Sequence, residues 1–178
     1  MRNAVKVVLV VLLCIAASYA WAELQIGQLP KTVTLQEKLG GRLDGTPWSS
    51  AEFKDKVTVV FYVDPDQKDL NNDASEALKK EDFSRDKYQS YGIINMAATI
   101  MPNFAISASL KKKQKAYPDT IYVRDYKKTL VNEWGLGDDN SDVLAFDKAG
   151  NLIFRKDGKL NEAEIKSLIA VIRANIDK

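Results

Sequence analysis

The sequence predicts an α/β fold, a central mixed β-sheet flanked by helices and entered through an N-terminal β-hairpin. Three observations carry that prediction. The hydrophobic period switches repeatedly along the chain, which marks alternating strands and helices rather than a bundle or a sandwich. Val57 to Val63 forms a continuous apolar run, typical of a strand covered on both faces and hence of the centre of the sheet. The C-terminal stretch reads as strand, turn, strand and then an amphipathic helix.

Ahead of the fold, residues 1–22 have the pattern of an export signal. Arg2 and Lys6 supply a positive start, Val7 to Ala17 is apolar and uncharged, and Ala20-Trp21-Ala22 places alanine at both positions a signal peptidase reads. Cleavage is expected after Ala22, with Ser18-Tyr19-Ala20 as a second option. The competing reading, an uncleaved membrane anchor, calls for about 20 apolar residues, and this run is shorter. Cys14 lies inside the run behind Leu13 rather than the Gly or Ala of a lipoprotein, so it is expected to leave with the signal. The mature chain, residues 23–178, is then expected to be a single exported domain, long enough to bury a core without disulfides. Arg2 and Lys6 account for two of the 26 basic residues, and the remaining 24 face 24 acidic ones. A formal charge of zero supplies none of the positive field that nucleic-acid binding uses, and no membrane insertion is expected after cleavage.

The elements follow in order. Thr32 to Leu35 and a segment around Arg42-Leu43 flank Gly40-Gly41, and Asp44-Gly45-Thr46-Pro47 makes a second turn, hence the hairpin. The central strand stops at Asp64-Pro65-Asp66, and Leu70, Ala74, Ala77 and Leu78 then share one face of a helix whose acidic start suits the positive end of its dipole. A strand is expected at Ile93 to Ala97, a helix with a thin apolar stripe at Ser107 to Ala116, and a short strand at Thr120 to Val123 behind Tyr117-Pro118. Val143 to Phe146 and Leu152 to Arg155 bracket the turn Asp147-Lys148-Ala149-Gly150. In the last helix Ile165, Leu168, Ile169, Ile172 and Ile176 form one stripe, and Asn161 with Glu164 makes a capping box.

The chain has no histidine, and no cysteine beyond Cys14. Without thiol or imidazole there is no disulfide exchange, no cysteine peroxidase cycle, no histidine-assisted nucleophile and no zinc site of the usual ligand types. Other motifs fail on their own terms. An EF-hand would need an oxygen ligand at Lys68, glycine at Asp69 and glutamate at Ser75. Gly135-Leu136-Gly137 opens no evident helix and reads as a turn, and no Gly-x-Ser-x-Gly elbow singles out a serine. Lys111 to Lys113 with Lys115 is either an anion-binding patch or a solvated helix face, the latter favoured. Trp48, Tyr88, Tyr117 and Trp134 are expected to anchor loops onto the core.

The element order resembles the thioredoxin-like layout of the peroxiredoxin-like branch, and Trp48 to Val57 looks like its lead-in to the first core strand. Asp86-Lys87-Tyr88-Gln89, Ile93-Ile94-Asn95, Lys111-Lys112-Lys113, Trp134, Ser141-Asp142-Val143, Asp147-Lys148-Ala149-Gly150 and Lys156-Asp157-Gly158-Lys159-Leu160, in this order, resemble the YtfJ family of exported Gram-negative proteins. The resemblance implies a thioredoxin-like fold in the periplasm and supplies no catalytic residues. Where redox members of that superfamily place Cys-x-x-Cys, this chain has Asp64-Pro65-Asp66-Gln67-Lys68-Asp69, and where they place a cis-proline it has Asp139-Asn140-Ser141-Asp142.

In such a fold the loop after the central strand faces the loop before the penultimate one. Asp64, Asp66 and Asp69 would then approach Asp138, Asp139 and Asp142, and the six carboxylates would point into water, share a divalent cation such as calcium or magnesium, or meet a basic partner. The function expected is a non-redox binding or adaptor protein acting on another envelope protein. The alternatives are a metal-assisted hydrolase built on these aspartates and a protein with structural contacts alone. An exposed apolar patch beside this edge would mark the adaptor, and carboxylates at metal distances in a concave pocket would mark the enzyme.

Overall fold

The computed structural model describes residues 24–178, so the stretch expected to be an export signal, with Cys14, lies outside the described residues. In chain order the elements are β1 (Thr34–Leu35), β2 (Gly40–Arg42), β3 (Trp48–Ser49), β4 (Val57–Val63), α1 (Asn72–Lys80), β5 (Tyr88–Asn95), α2 (Asn103–Ala116), β6 (Thr120–Asp125), α3 (Thr129–Trp134), β7 (Ser141–Phe146), β8 (Leu152–Asp157) and α4 (Glu162–Ile176). The main sheet has six strands in the order β2-β6-β5-β4-β7-β8. β4 sits inside it as its sequence requires, parallel to β5 on one side and antiparallel to β7 on the other.

Alternation along β4 divides the core. Val57, Val59 and Phe61 point to one face, where they pack with Ala74 and Leu78 of α1 and Leu168, Ile172 and Ile176 of α4. Ile94, Tyr122, Ile106 and Leu110 extend that side beneath α2. Val60 and Tyr62 point to the other face, into a cluster with Trp48, Phe53, Leu130, Trp134 and Phe146. Both tryptophans are fully buried as expected, and the Trp134 indole donates to the Lys31 carbonyl at 2.8 Å. Tyr88 and Tyr117 are half-buried.

The N-terminal hairpin is corrected. β1 pairs antiparallel with β3 in a small separate sheet, while β2 crosses to the edge of the main sheet and pairs with β6. The glycine pair serves a close approach instead of the expected turn: Gly40 has φ +141°, and a Cβ there would stand 1.8 Å from the Arg124 carbonyl oxygen. Other boundaries differ. Leu70 lies ahead of α1, β5 begins at Tyr88 with three half-buried residues ahead of its apolar run, and α2 begins directly behind Pro102; the short α3 is an element the sequence pattern does not predict. The capping box of α4 forms, with Asn161 Oδ1 accepting from Glu164 N at 2.9 Å and Glu164 Oε2 from Asn161 N at 2.8 Å. None of the described helices is long and apolar enough to cross a membrane.

Candidate functional site

The sheet edge at the end of β4 is where the sequence places its aspartates, and the two loops do meet there. Asp64 N donates to the Asn140 carbonyl at 2.8 Å. Asp64 itself is buried and structural: Oδ1 accepts from Asp66 N at 2.8 Å and caps a single 3-10 turn, Pro65–Gln67. Burial, together with the charges of Asp66, Asp139 and Asp138, raises its carboxyl above the ordinary range, against the Asp66 amide. Asp66, Asp138 and Asp139 are therefore within electrostatic reach of Asp64.

Four of the six carboxylates, those of Asp64, Asp69, Asp138 and Asp142, have protein partners of their own. Asp138 is ion-paired with Lys128 and accepts from Asn95 Nδ2 at 2.9 Å; burial works against its charge, but these two partners outweigh it and hold its carboxyl low. Asp66 and Asp139 are exposed. Asp69 turns away to accept from Asn72 Nδ2 at 3.1 Å. Asp142 lies fully buried on β7, opposite Asp157 of β8, and its Oδ2 accepts from Gly137 N at 2.6 Å. Among the described residues no three acidic side chains are arranged to hold a metal ion.

The sequence did not reveal the buried polar group behind this edge. Asp125, fully buried, accepts from the Tyr62 hydroxyl at 3.2 Å and from the amides of Lys127 and Leu130 at 3.1 and 3.0 Å. It fixes the turn from β6 into α3. An isolated aspartate between a strand and a turn gives no periodic signal by which it could have been found.

Two surface features flank the edge. Ile100 and Phe104, 104 % and 78 % exposed, stand with the partly exposed Met101 in the β5–α2 connection and the first turn of α2. Between α1 and α2, over β5, lies a slot of about 470 Å³. Its floor depends on Gly92, whose Cβ would come within 2.8 Å of the Tyr122 ring. Of the lysine run, Lys111, Lys112 and Lys115 are solvated as expected, whereas Lys113 turns into this slot.

A central strand with a parallel neighbour on one side and an antiparallel pair on the other, helices on both faces and a loop facing the strand's end define a thioredoxin-like fold, here with aspartate in place of thiol at the strand's end. Solved structures agree on the fold. A putative protein disulfide isomerase from Bacteroides thetaiotaomicron superposes with a TM-score of 0.62 at 15% identity, over 87% of this chain and 92% of that one. A putative thiol:disulfide interchange protein DsbE from Chlorobium tepidum gives 0.61 at 12% identity, over 86% and 99%. Residues 33–175 match the family described as bacterial protein of unknown function (YtfJ_HI0045), and the chain belongs to that family. An uncharacterised protein of Haemophilus influenzae is 31% identical over 89% of this chain and 91% of its own length. The uncharacterised protein YtfJ of Escherichia coli strain K12 is 27% identical over 71% and 70%.

Proposed function

We propose that this protein is a non-redox binding module of the periplasm, an adaptor that docks another exported envelope protein at the strand edge where thioredoxin-like enzymes work. The observation that carries the reading is the apolar patch Ile100, Met101 and Phe104, which lies in the connection from β5 to α2 and the first turn of α2. Exposed large apolar side chains grouped at one place favour a partner surface. The carboxylates of Asp64, Asp138 and Asp142 are engaged by a helical cap, an ion pair and the Gly137 amide, which favours a scaffold over a hydrolase. Export follows from the pattern of residues 1–22.

Capture from envelope extract on the immobilised protein, followed by binding of the purified candidate partner, tests this. The partner should bind saturably to the native protein, and the double variant Ile100→Glu, Phe104→Glu should lose it while melting normally. Equal binding by the double variant would refute the patch as the docking surface.

A further inference from the structure

The slot between α1 and α2 is a separate feature with its own chemistry. β4 and β5 are parallel and each following helix runs back over the sheet, so α1 and α2 lie side by side along β5. They do not close over it. Phe61, Ile94 and Tyr122 form the floor, Leu78 lines the α1 side, and Ile106 and Leu110 line the α2 side. The links across the gap are polar: Lys113 Nζ donates to the Lys68 carbonyl at 3.1 Å, the Tyr117 hydroxyl donates to Glu76, and the Lys79 ammonium lies 4.9 Å from the centre of the Tyr117 ring. The result is an apolar space spanned by side chains, of a volume usual for small-molecule sites.

Two observations select the occupant. β5 is hydrogen-bonded to strands on both sides, so the floor presents no free backbone groups, and a peptide laid there would bury amides without partners. A plain hydrocarbon chain has no such cost. The lining charges are unbalanced: Lys56, Lys68, Lys79, Arg85 and Lys113 against Asp82 and Asp119, of which Asp119 is already ion-paired with Arg85. Lys113 rests on a neutral carbonyl, with no carboxylate among the described residues bonded to it. Burial works against its charge, with the more distant Asp69 opposing. An anion at that point would compensate a desolvated ammonium. Met101 lines the slot while partly exposed, so one end opens beside the apolar patch.

We propose that the slot binds one fatty acid, its acyl chain lying over Gly92 and Tyr122 and its carboxylate against Lys113. This goes beyond the docking of a protein partner and does not depend on it. Each methylene buried stabilises the complex, and the charge-assisted hydrogen bond to Lys113 fixes the direction of the chain.

Calorimetric titration of the purified protein with sodium laurate, below its micelle concentration, tests the proposal. One saturable site is expected. Dodecanol, with the same chain and no charge, should bind at least about tenfold more weakly, and Lys113→Ala should lose affinity for laurate by about the same factor. Ser109→Trp, which fills the slot from an exposed position of α2, should abolish binding with the melting curve unchanged. Absence of saturable laurate binding by folded protein, equal binding of laurate and dodecanol, or unaltered binding in Ser109→Trp would each overturn it. Because only purified protein and laurate are present, failure here leaves the docking of an envelope protein to be judged by capture alone.

Discussion

At the scale of single residues, Asp142 makes the sharpest quantitative case. Burial, and behind it the charge of Asp157 across the β7–β8 pair, push its carboxyl up to about 6, against the Gly137 amide and the Arg155 guanidinium. A raised folded-state pKa means that the folded protein holds the proton more tightly than the unfolded chain. The stabilisation is therefore complete below about pH 4 and lost as pH rises through about 6, a change of roughly 2 to 3 kcal/mol for a shift of this size. Asp142→Asn keeps an acceptor for Gly137 and removes the titration. It should flatten this part of the pH profile and raise the melting temperature at pH 7.5 but not at pH 4; equal effects at both pH values would disprove the assignment. Sequence reasoning placed Asp142 near a cluster but could not give this role, because the strand register that sets it opposite Asp157 depends on contacts between distant segments.

At the scale of elements, legibility followed the strength of local patterning. The capping box of α4 was readable because both partners lie within four residues, and Asn161→Ala should cost about 1 kcal/mol by chemical denaturation. β4 was readable because a strand buried on both faces must be apolar nearly throughout. The hairpin was misread because Gly40-Gly41 signals either a turn or a close backbone approach, and only the position of Arg124 on β6 decides between them. α3 is six residues long, too short for a periodic stripe; it is held by Leu130 and Trp134 in the core and by the Asp125 carboxylate on its second amide. The aromatic group beneath it is the firmest packing contact on that face, with Phe146 ring centres 4.8 Å from Phe53 and 6.0 Å from Trp134. Phe146→Ala should destabilise by about 3 to 5 kcal/mol, and a neutral variant would contradict the packing described.

At the scale of the whole molecule, the fold brings the two predicted loops together, and four of their six carboxylates also meet protein partners. Opposition of loops was legible from element order. The pairing of Asp138 was not, since Lys128 and Asn95 come from other strands and turns. Millimolar calcium or magnesium should accordingly leave the melting temperature unchanged, whereas a concentration-dependent rise would revive a shared cation site by mass action. The slot and the patch belong to the same scale: both arise from where α2 begins and how far it stands from α1, which no single segment encodes.

The central claim is that a thioredoxin-like frame here serves binding instead of thiol chemistry, because aspartate stands where exchange would need a thiolate. Reduction of insulin by dithiothreitol, followed with increasing amounts of a purified protein of residues 23–178, tests it most directly. The account predicts the uncatalysed rate at every protein concentration; acceleration proportional to added protein, in a metal-free and contaminant-free preparation, would contradict it.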